Sequence, residues 1–167
     1  MPIRPALLRR LPLPAFALLL TFAAYAPAKT SHEGWPEIDG KLQMHKGDQS
    51  SPMHGTIRND ELLGGHGNDT LWGRAGNDVL WGDYKPGGQP ANQVDHIHGG
   101  AGNEFIYASH GRNIISAGSG SDTIHAHYGR GSIDCGGGTD VLFISHKSRK
   151  KYAIHGCETI SYKTLGF

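Results

Sequence analysis

Seven acidic side chains fall in one column of this 167-residue chain. Written in rows of nine from Gly55, the chain reads GTIRNDELL, GGHGNDTLW and GRAGNDVLW. The fourth row opens GDYK, closes VDHIH at His98 and carries about eight extra residues near Lys85 to Gln93. The fifth to ninth read GGAGNEFIY, ASHGRNIIS, AGSGSDTIH, AHYGRGSID and CGGGTDVLF. Row position 6 holds Asp60, Asp69, Asp78, Asp95, Glu104, Asp122 and Asp140. Only 19% of the chain is charged, so composition alone does not align these acids. Carboxylates stacked along one edge repel unless a cation lies between them. Calcium accepts six to eight oxygens from carboxylates and backbone carbonyls alike, whereas magnesium tends to keep its own water. The plainer alternative is that Asp serves as a turn former in a metal-free coil.

The elements that would position these acids follow from two further columns. Position 8 is Leu62, Leu71, Leu80, Ile97, Ile106, Ile115, Ile124, Ile133 and Leu142. Strand side chains alternate faces, so an aliphatic at 8 between neighbours at 7 and 9 predicts a three-residue strand with one inward side chain. Each such burial contributes roughly 1.5–3 kcal/mol. One row cannot bury its own face, so the rows must stack. Position 4 is glycine in seven of nine rows. The six-residue turns would offer backbone to a cation at Gly64, Gly65, Gly67, Gly73, Gly76, Gly99, Gly100, Gly102, Gly118, Gly120, Gly136 and Gly138. Glycine there permits positive φ and close backbone approach. Asn59, Asn68, Asn77 and Asn103 at position 5 are expected to stabilise the turn through their tolerance of left-handed φ.

The pattern G-G-x-G-x-D-x-U-x resembles the RTX (hemolysin-type) calcium-binding nonapeptide repeat, a known repeat class. The resemblance covers residues 55–143. It implies an all-β fold, a parallel β-roll (right-handed β-solenoid) in which nine residues make half a turn. Odd rows then stack on one side and even rows on the other, with Ca2+ between rows n and n+2. On the odd edge Asp60, Asp78, Glu104, Asp122 and Asp140 run unbroken, and the expectation is up to four ions. The even edge keeps Asp69 and Asp95, then gives Asn113 and Gly131, and should hold one or two. Glu104 is the weak point, because its extra methylene pushes the carboxylate too far.

Outward positions of the odd rows carry Val79, Trp81, Phe105, Tyr107, Val141 and Phe143. This apolar stripe calls for cover by the chain's own ends, or else for a protein or cell-surface partner on the Trp81, Tyr107 and Phe143 face. His96 and His98 share one face of the fourth row, an arrangement suited to adventitious Zn2+ or Cu2+.

The ends leave the period. Residues 1–28 read as a secretory signal peptide. Arg4, Arg9 and Arg10 precede an apolar run, and Ala26-Pro27-Ala28 offers cleavage after Ala28. Cleavage leaves 13 Lys and Arg against 15 Asp and Glu, so nucleic acid is not an expected partner. The cluster Lys147-Ser148-Arg149-Lys150-Lys151 reads as a solvated turn, the lesser alternative being contact with an anionic partner such as a surface polymer. Residues 29–54 read as an irregular N-terminal cap, with one alternating strand through Ile38, Leu42 and Met44. Residues 144–167 read as a C-terminal cap. Cys135 and Cys157 in an exported chain favour one disulfide. The Cys-Glu-x-hydrophobic ending at 157–160 and the Cys-Gly row at 135–138 resemble those of small exported actinobacterial RTX-like proteins, which supports that pairing.

Function on this reading is extracellular calcium binding, with folding linked to the metal. RTX exoproteins usually lack a cleaved N-terminal signal, a departure here. Neither H-E-x-x-H nor G-x-S-x-G occurs, so no enzyme is expected. A calcium-dependent interaction module is the main alternative, and a hydrolase or lyase on a solenoid is the remote one.

Overall fold

The computed structural model describes residues 34–84, 88 and 90–163. The signal-peptide expectation for residues 1–28 lies outside them, as do residues 85–87 and 89 of the insert. Thirteen strands and one helical turn follow in chain order among the described residues. They are β1 Leu42–Met44, β2 Pro52–His54, β3 Glu61–Leu63, β4 Thr70–Ala75, β5 Val79–Trp81, β6 Val94–Ala101 and β7 Phe105–Tyr107. After these come β8 Arg112–Gly120, β9 Thr123–Ala126, β10 Arg130–Gly138, β11 Val141–Ile144, α1 His146–Arg149, β12 Tyr152–His155 and β13 Thr159–Ser161.

Odd and even strands separate into two parallel sheets. One has the order β1-β3-β5-β7-β9-β11-β13 and the other β12-β10-β8-β6-β4-β2. Pairing joins every second row, so Leu62 faces Leu80 and Ile115 faces Ile133. This is a parallel β-roll of about six turns. It needs no helices over its faces because each sheet covers the other through one inward residue per strand.

That residue is at row position 8 throughout. Leu62, Leu71, Leu80, Ile97, Ile106, Ile115, Ile124, Ile133 and Leu142 are at most 2% exposed. Met53 continues the column before the first row, and Ile154 and Ile160 pack on its far end. A single file of aliphatic side chains fills the gap between the sheets, and a second file, Ala117, Ala126 and Cys135, lies beside it.

The coil continues beyond the nine rows in both directions. Strand β1 forms, but its phase is opposite to the one expected. Gln43 pairs with Leu62 and takes the inward position, while Leu42 and Met44 are 64% and 47% exposed. Ile38 is buried elsewhere. It joins Trp35, Val79 and Tyr107 in a small outer cluster, and the Trp35 indole N–H donates to the Tyr107 hydroxyl at 2.9 Å. The chain's own Trp35 and Ile38 therefore cover the Val79, Trp81, Phe105 and Tyr107 part of the apolar stripe, and Val141 and Phe143 lie outside that cluster. Tyr107 is buried, and Trp81 and Phe143 belong to a ring stack running Trp81–Tyr107–His125–Phe143 at centroid spacings of 4.6, 4.7 and 5.0 Å.

At the other end α1 interrupts the roll between β11 and β12. Ser145 caps it by accepting from the Ser148 N–H at 3.1 Å. Cys135 and Cys157 form a disulfide with Cα atoms 5.1 Å apart, tying the end of β10 to the turn before β13. Cross-linking a loop of this separation constrains the unfolded chain by about 3 kcal/mol. No described helix is long and apolar enough to cross a membrane.

Candidate metal-binding edge

The odd edge is built from the turns that precede β3, β5, β7, β9 and β11. Strand register brings each position-6 residue over the next, eighteen residues on, or twenty-six across the insert. Asp78, Asp122 and Asp140 each lend one oxygen to a backbone N–H, and Glu104 lends none. Asp60 N–H donates to Asp78 Oδ1 at 2.7 Å, Glu104 N–H to Asp122 Oδ1 at 2.8 Å, and Asp122 N–H to Asp140 Oδ1 at 2.8 Å. The other oxygen has no partner. Asp78 Oδ2, Asp122 Oδ2 and Asp140 Oδ2 are buried and unsatisfied, as are both oxygens of Glu104. A buried acceptor left unpaired costs about 1–3 kcal/mol, more when charged. Four consecutive residues carrying that penalty at one address indicate a ligand rather than chance.

The orphan oxygens face other oxygens. A Cβ placed on Gly73 would lie 2.5 Å from Asp78 Oδ2 and 2.6 Å from the Gly99 carbonyl. One on Gly99 would lie 3.0 Å from Glu104 Oε2 and run into the Ala117 carbonyl, and one on Gly64 would lie 2.7 Å from Asp69 Oδ2. Position-1 glycines are thus required for close approach. Position 4 is required for conformation: Gly102 and Gly120 have φ of 143° and 136°, and a Cβ on either would enter the carbonyl eighteen or twenty-six residues earlier. Gly67, Gly76 and Gly138 share the left-handed φ, as do Gly100, Gly118 and Gly136 at position 2. Gly65 instead packs on the Gly47 carbonyl.

Burial raises the acids of this edge above the usual carboxylate range. Asp78 is pushed up to about 7 by desolvation, opposed by the hydrogen bond from the Asp60 N–H. Glu104 is pushed up to about 9 by desolvation, then by Asp122, Asp78 and Asp140. Asp122 and Asp140 are also raised, chiefly by burial. Among the described residues no three His, Cys, Asp or Glu side chains converge on one point. The donor set is one or two carboxylates with backbone carbonyls, which suits calcium and does not suit the side-chain cages of zinc.

The even edge is different. Asp69 N–H donates to Asp95 Oδ1 at 3.0 Å, and Asp69 Oδ2 is unsatisfied. Asp69 Oδ1, however, meets His45 Nδ1 at 2.7 Å, and His45 Nε2 meets Ser51 Oγ at 3.1 Å. Burial pushes Asp69 up to about 6, His45 opposing the shift. From Asp95 onward every group is satisfied by neutral partners. Ser109 Oγ donates to Asp95 Oδ2, and Asn113 Nδ2 donates to the Ser109 carbonyl at 3.0 Å and the Tyr152 hydroxyl at 3.1 Å. Tyr152 pairs with Gly131 in the register and so stands at row position 6 itself. Its hydroxyl lies where a Cβ on Gly129 would come within 2.7 Å of it, and it donates to the Tyr128 carbonyl at 3.0 Å.

Three features of the edges were not read from the rows. The position-5 asparagines have ordinary φ, contrary to the left-handed role expected. They form a ladder instead: Asn77 N–H donates to Asn59 Oδ1 and Asn103 N–H to Asn77 Oδ1, both at 2.8 Å. Asn68 Oδ1 does the same for the Val94 N–H on the even edge. Glu158 extends the odd column, accepting from the Asp140 N–H at 2.8 Å. Its spacing of eighteen residues from Asp140 was the available signal. At the opposite end Asp60 is fully engaged by the Lys41 and Thr56 N–H groups and the Thr56 hydroxyl. It terminates the ladder.

Stacked glycine turns with inward carboxylates define a calcium-binding β-roll. The family pattern of the RTX calcium-binding nonapeptide repeat, in four copies, matches residues 54–83, 92–124 and 109–142. Through these repeats the chain belongs to that family. No curated protein and no solved structure matches it.

Proposed function

We propose that this is an extracellular calcium-binding protein whose roll folds or becomes rigid when Ca2+ enters the odd edge. The observation that carries the reading is the run of unpartnered buried oxygens on Asp78, Glu104, Asp122 and Asp140. Asp60 closes this ladder at one end. The even edge takes metal, if at all, only beside Asp69 and Asp95. RTX repeats are typical of secreted proteins, and the Ala26-Pro27-Ala28 pattern agrees with export. Outside the cell calcium is abundant, so a chain exported unfolded would meet its ligand where it is needed. A site that exists only in the folded state adds its binding energy to folding. When bound, the ion neutralises the carboxylate column. The chain's own part is to aim carbonyls and carboxylates and to exclude water with the aliphatic file behind them.

The repeat family is a non-catalytic calcium-binding module, and we assign no reaction here. Ser51, His45 and Asp69 fall in the order of a hydrolytic triad, but Asp69 belongs to the acid column, and we read the relay as the even edge's terminus.

The test is far-UV circular dichroism of the protein without residues 1–28, titrated with calcium and then chelator. A cooperative, reversible gain of β signal is expected. An identical spectrum at zero and millimolar calcium, with no calcium bound, refutes the reading.

A further inference from the structure

We propose a second site, on the even edge, for an acidic polysaccharide. The odd edge stacks anions without cations; the even edge does the reverse a few rows on. Position 5 of the even rows carries Arg112 and Arg130, directly paired in the register, and Lys151 follows on the next rung beside Tyr152. Like charges directly opposite in a sheet are destabilising. Yet the ion pairs among the described residues are His45–Asp69 and His66–Asp83, and none of these three cations takes part.

The last two of them line a cavity of about 470 Å³ together with Lys147, His127 and Tyr128, and among the described residues no acidic side chain contributes to its wall. The side chain of His127 is inside: both ring nitrogens are buried and neither has a hydrogen-bond partner. At least one of them is a donor in any protonation state. The Arg130 guanidinium donates from Nη1 to the Ala91 carbonyl at 3.1 Å, which leaves its other N–H groups for a ligand. The cavity therefore gathers three cationic side chains, Arg130, Lys147 and Lys151, with no carboxylate among its described lining residues to balance them.

Three considerations choose the occupant. Rungs of a sheet are about 4.8 Å apart, so cations on successive rungs match a ligand with repeating charges better than a single ion. The volume exceeds that of one oxyanion. Tyr128, 58% exposed at the rim, offers a ring and a hydroxyl for sugar contacts. A nucleic acid would bring one base per phosphate, whereas one face of the Tyr128 ring is already stacked on His110 at 4.3 Å. Sulfated or uronic sugars combine charge repeats with hydroxyls and need no further ring.

The test is binding of a fluorescent heparin-derived octasaccharide to the calcium-loaded full chain, followed by anisotropy at two salt concentrations. Saturable, salt-weakened binding is expected, and Arg130→Gln/Lys151→Gln should weaken it at least about tenfold. Arg149→Gln/Lys150→Gln removes the same charge from the same run outside the cavity and should cost less than about twofold. Should the first pair fail to fold by circular dichroism, Lys147→Gln/Tyr128→Ala, both at exposed positions, carries the same expectation. The proposal is overturned by absence of binding, by equal losses from the cavity and non-cavity pairs, or by equal competition from a single-stranded oligonucleotide of matched charge. None of these outcomes bears on calcium uptake, which is read separately.

Discussion

The two edges of the roll share a backbone plan and differ in what stands at row position 6. On the odd edge a carboxylate follows a carboxylate: Asp78, Asp122 and Asp140 each lend one oxygen to a neighbour's N–H and leave the other unmatched, and Glu104 leaves both unmatched. On the even edge the column passes from Asp95 to Asn113, Gly131 and Tyr152, and a continuous hydrogen-bond chain consumes every donor and acceptor. One edge is incomplete without an ion and the other is complete without one. The fold itself does not require calcium at a turn. A neutral plug of Ser, Asn and Tyr builds the same turn on the even edge, so shape alone does not call for the aspartates of the odd edge.

The contrast can be broken most severely through the glycines. Gly120→Ala places a methyl in the Gly102 carbonyl at a φ of 136°. We expect a loss of several kcal/mol, on the order of 3 or more, with calcium-dependent folding abolished. Gly137→Ala, in the turn stacked on that one but with open space around it, should stay within about 0.5 kcal/mol in the same thermal melts.

The next largest effect is pH. The folded, metal-free protein holds protons on Asp78 to about 7 and on Glu104 to about 9, above the 3.8 and 4.5 of the unfolded chain. The unfolded state therefore loses protons first as pH rises. Metal-free stability should be greatest below about pH 4 on this account and should fall progressively toward pH 7 and then 9. With saturating calcium the trend reverses over the same window, because protons compete with the ion. Melting temperatures that rise with pH in chelator would contradict the sign.

A smaller effect sharpens the even edge. Asn113→Asp adds the carboxylate that this column lacks, but it removes the donor to the Ser109 carbonyl and the Tyr152 hydroxyl. We expect about 1–3 kcal/mol of destabilisation and no additional calcium by equilibrium dialysis. A gain of one bound ion would mean that sequence alone, not the Tyr152 plug, sets the difference.

The repeating part of this architecture was legible from the rows because a constant step of nine preserves the inward phase. Leu62 through Leu142, the two sheets and the odd acid column all follow from it. The step changes at the ends. Gln43 stands nineteen residues before Leu62, and Tyr152 twenty-one after Gly131. One extra residue turns Leu42 and Met44 outward, and the three residues admitted around α1 hide Tyr152 as a position-6 residue. The asparagine ladder was missed for another reason. Turn propensity describes one chain segment, whereas these side chains bridge two rows. The cover over Tyr107 required knowing that Trp35 and Ile38 reach the odd sheet, which no periodicity encodes.

The most direct test of the central claim is the number of calcium ions bound per chain, by equilibrium dialysis at pH 7.5, in the wild type, Asp122→Asn and Tyr152→Phe. Asp122 serves two adjacent turns, so its loss should remove at least one ion and weaken a neighbour about tenfold, whereas Tyr152→Phe should leave the count unchanged. Equal stoichiometry and affinity in all three proteins would contradict the account.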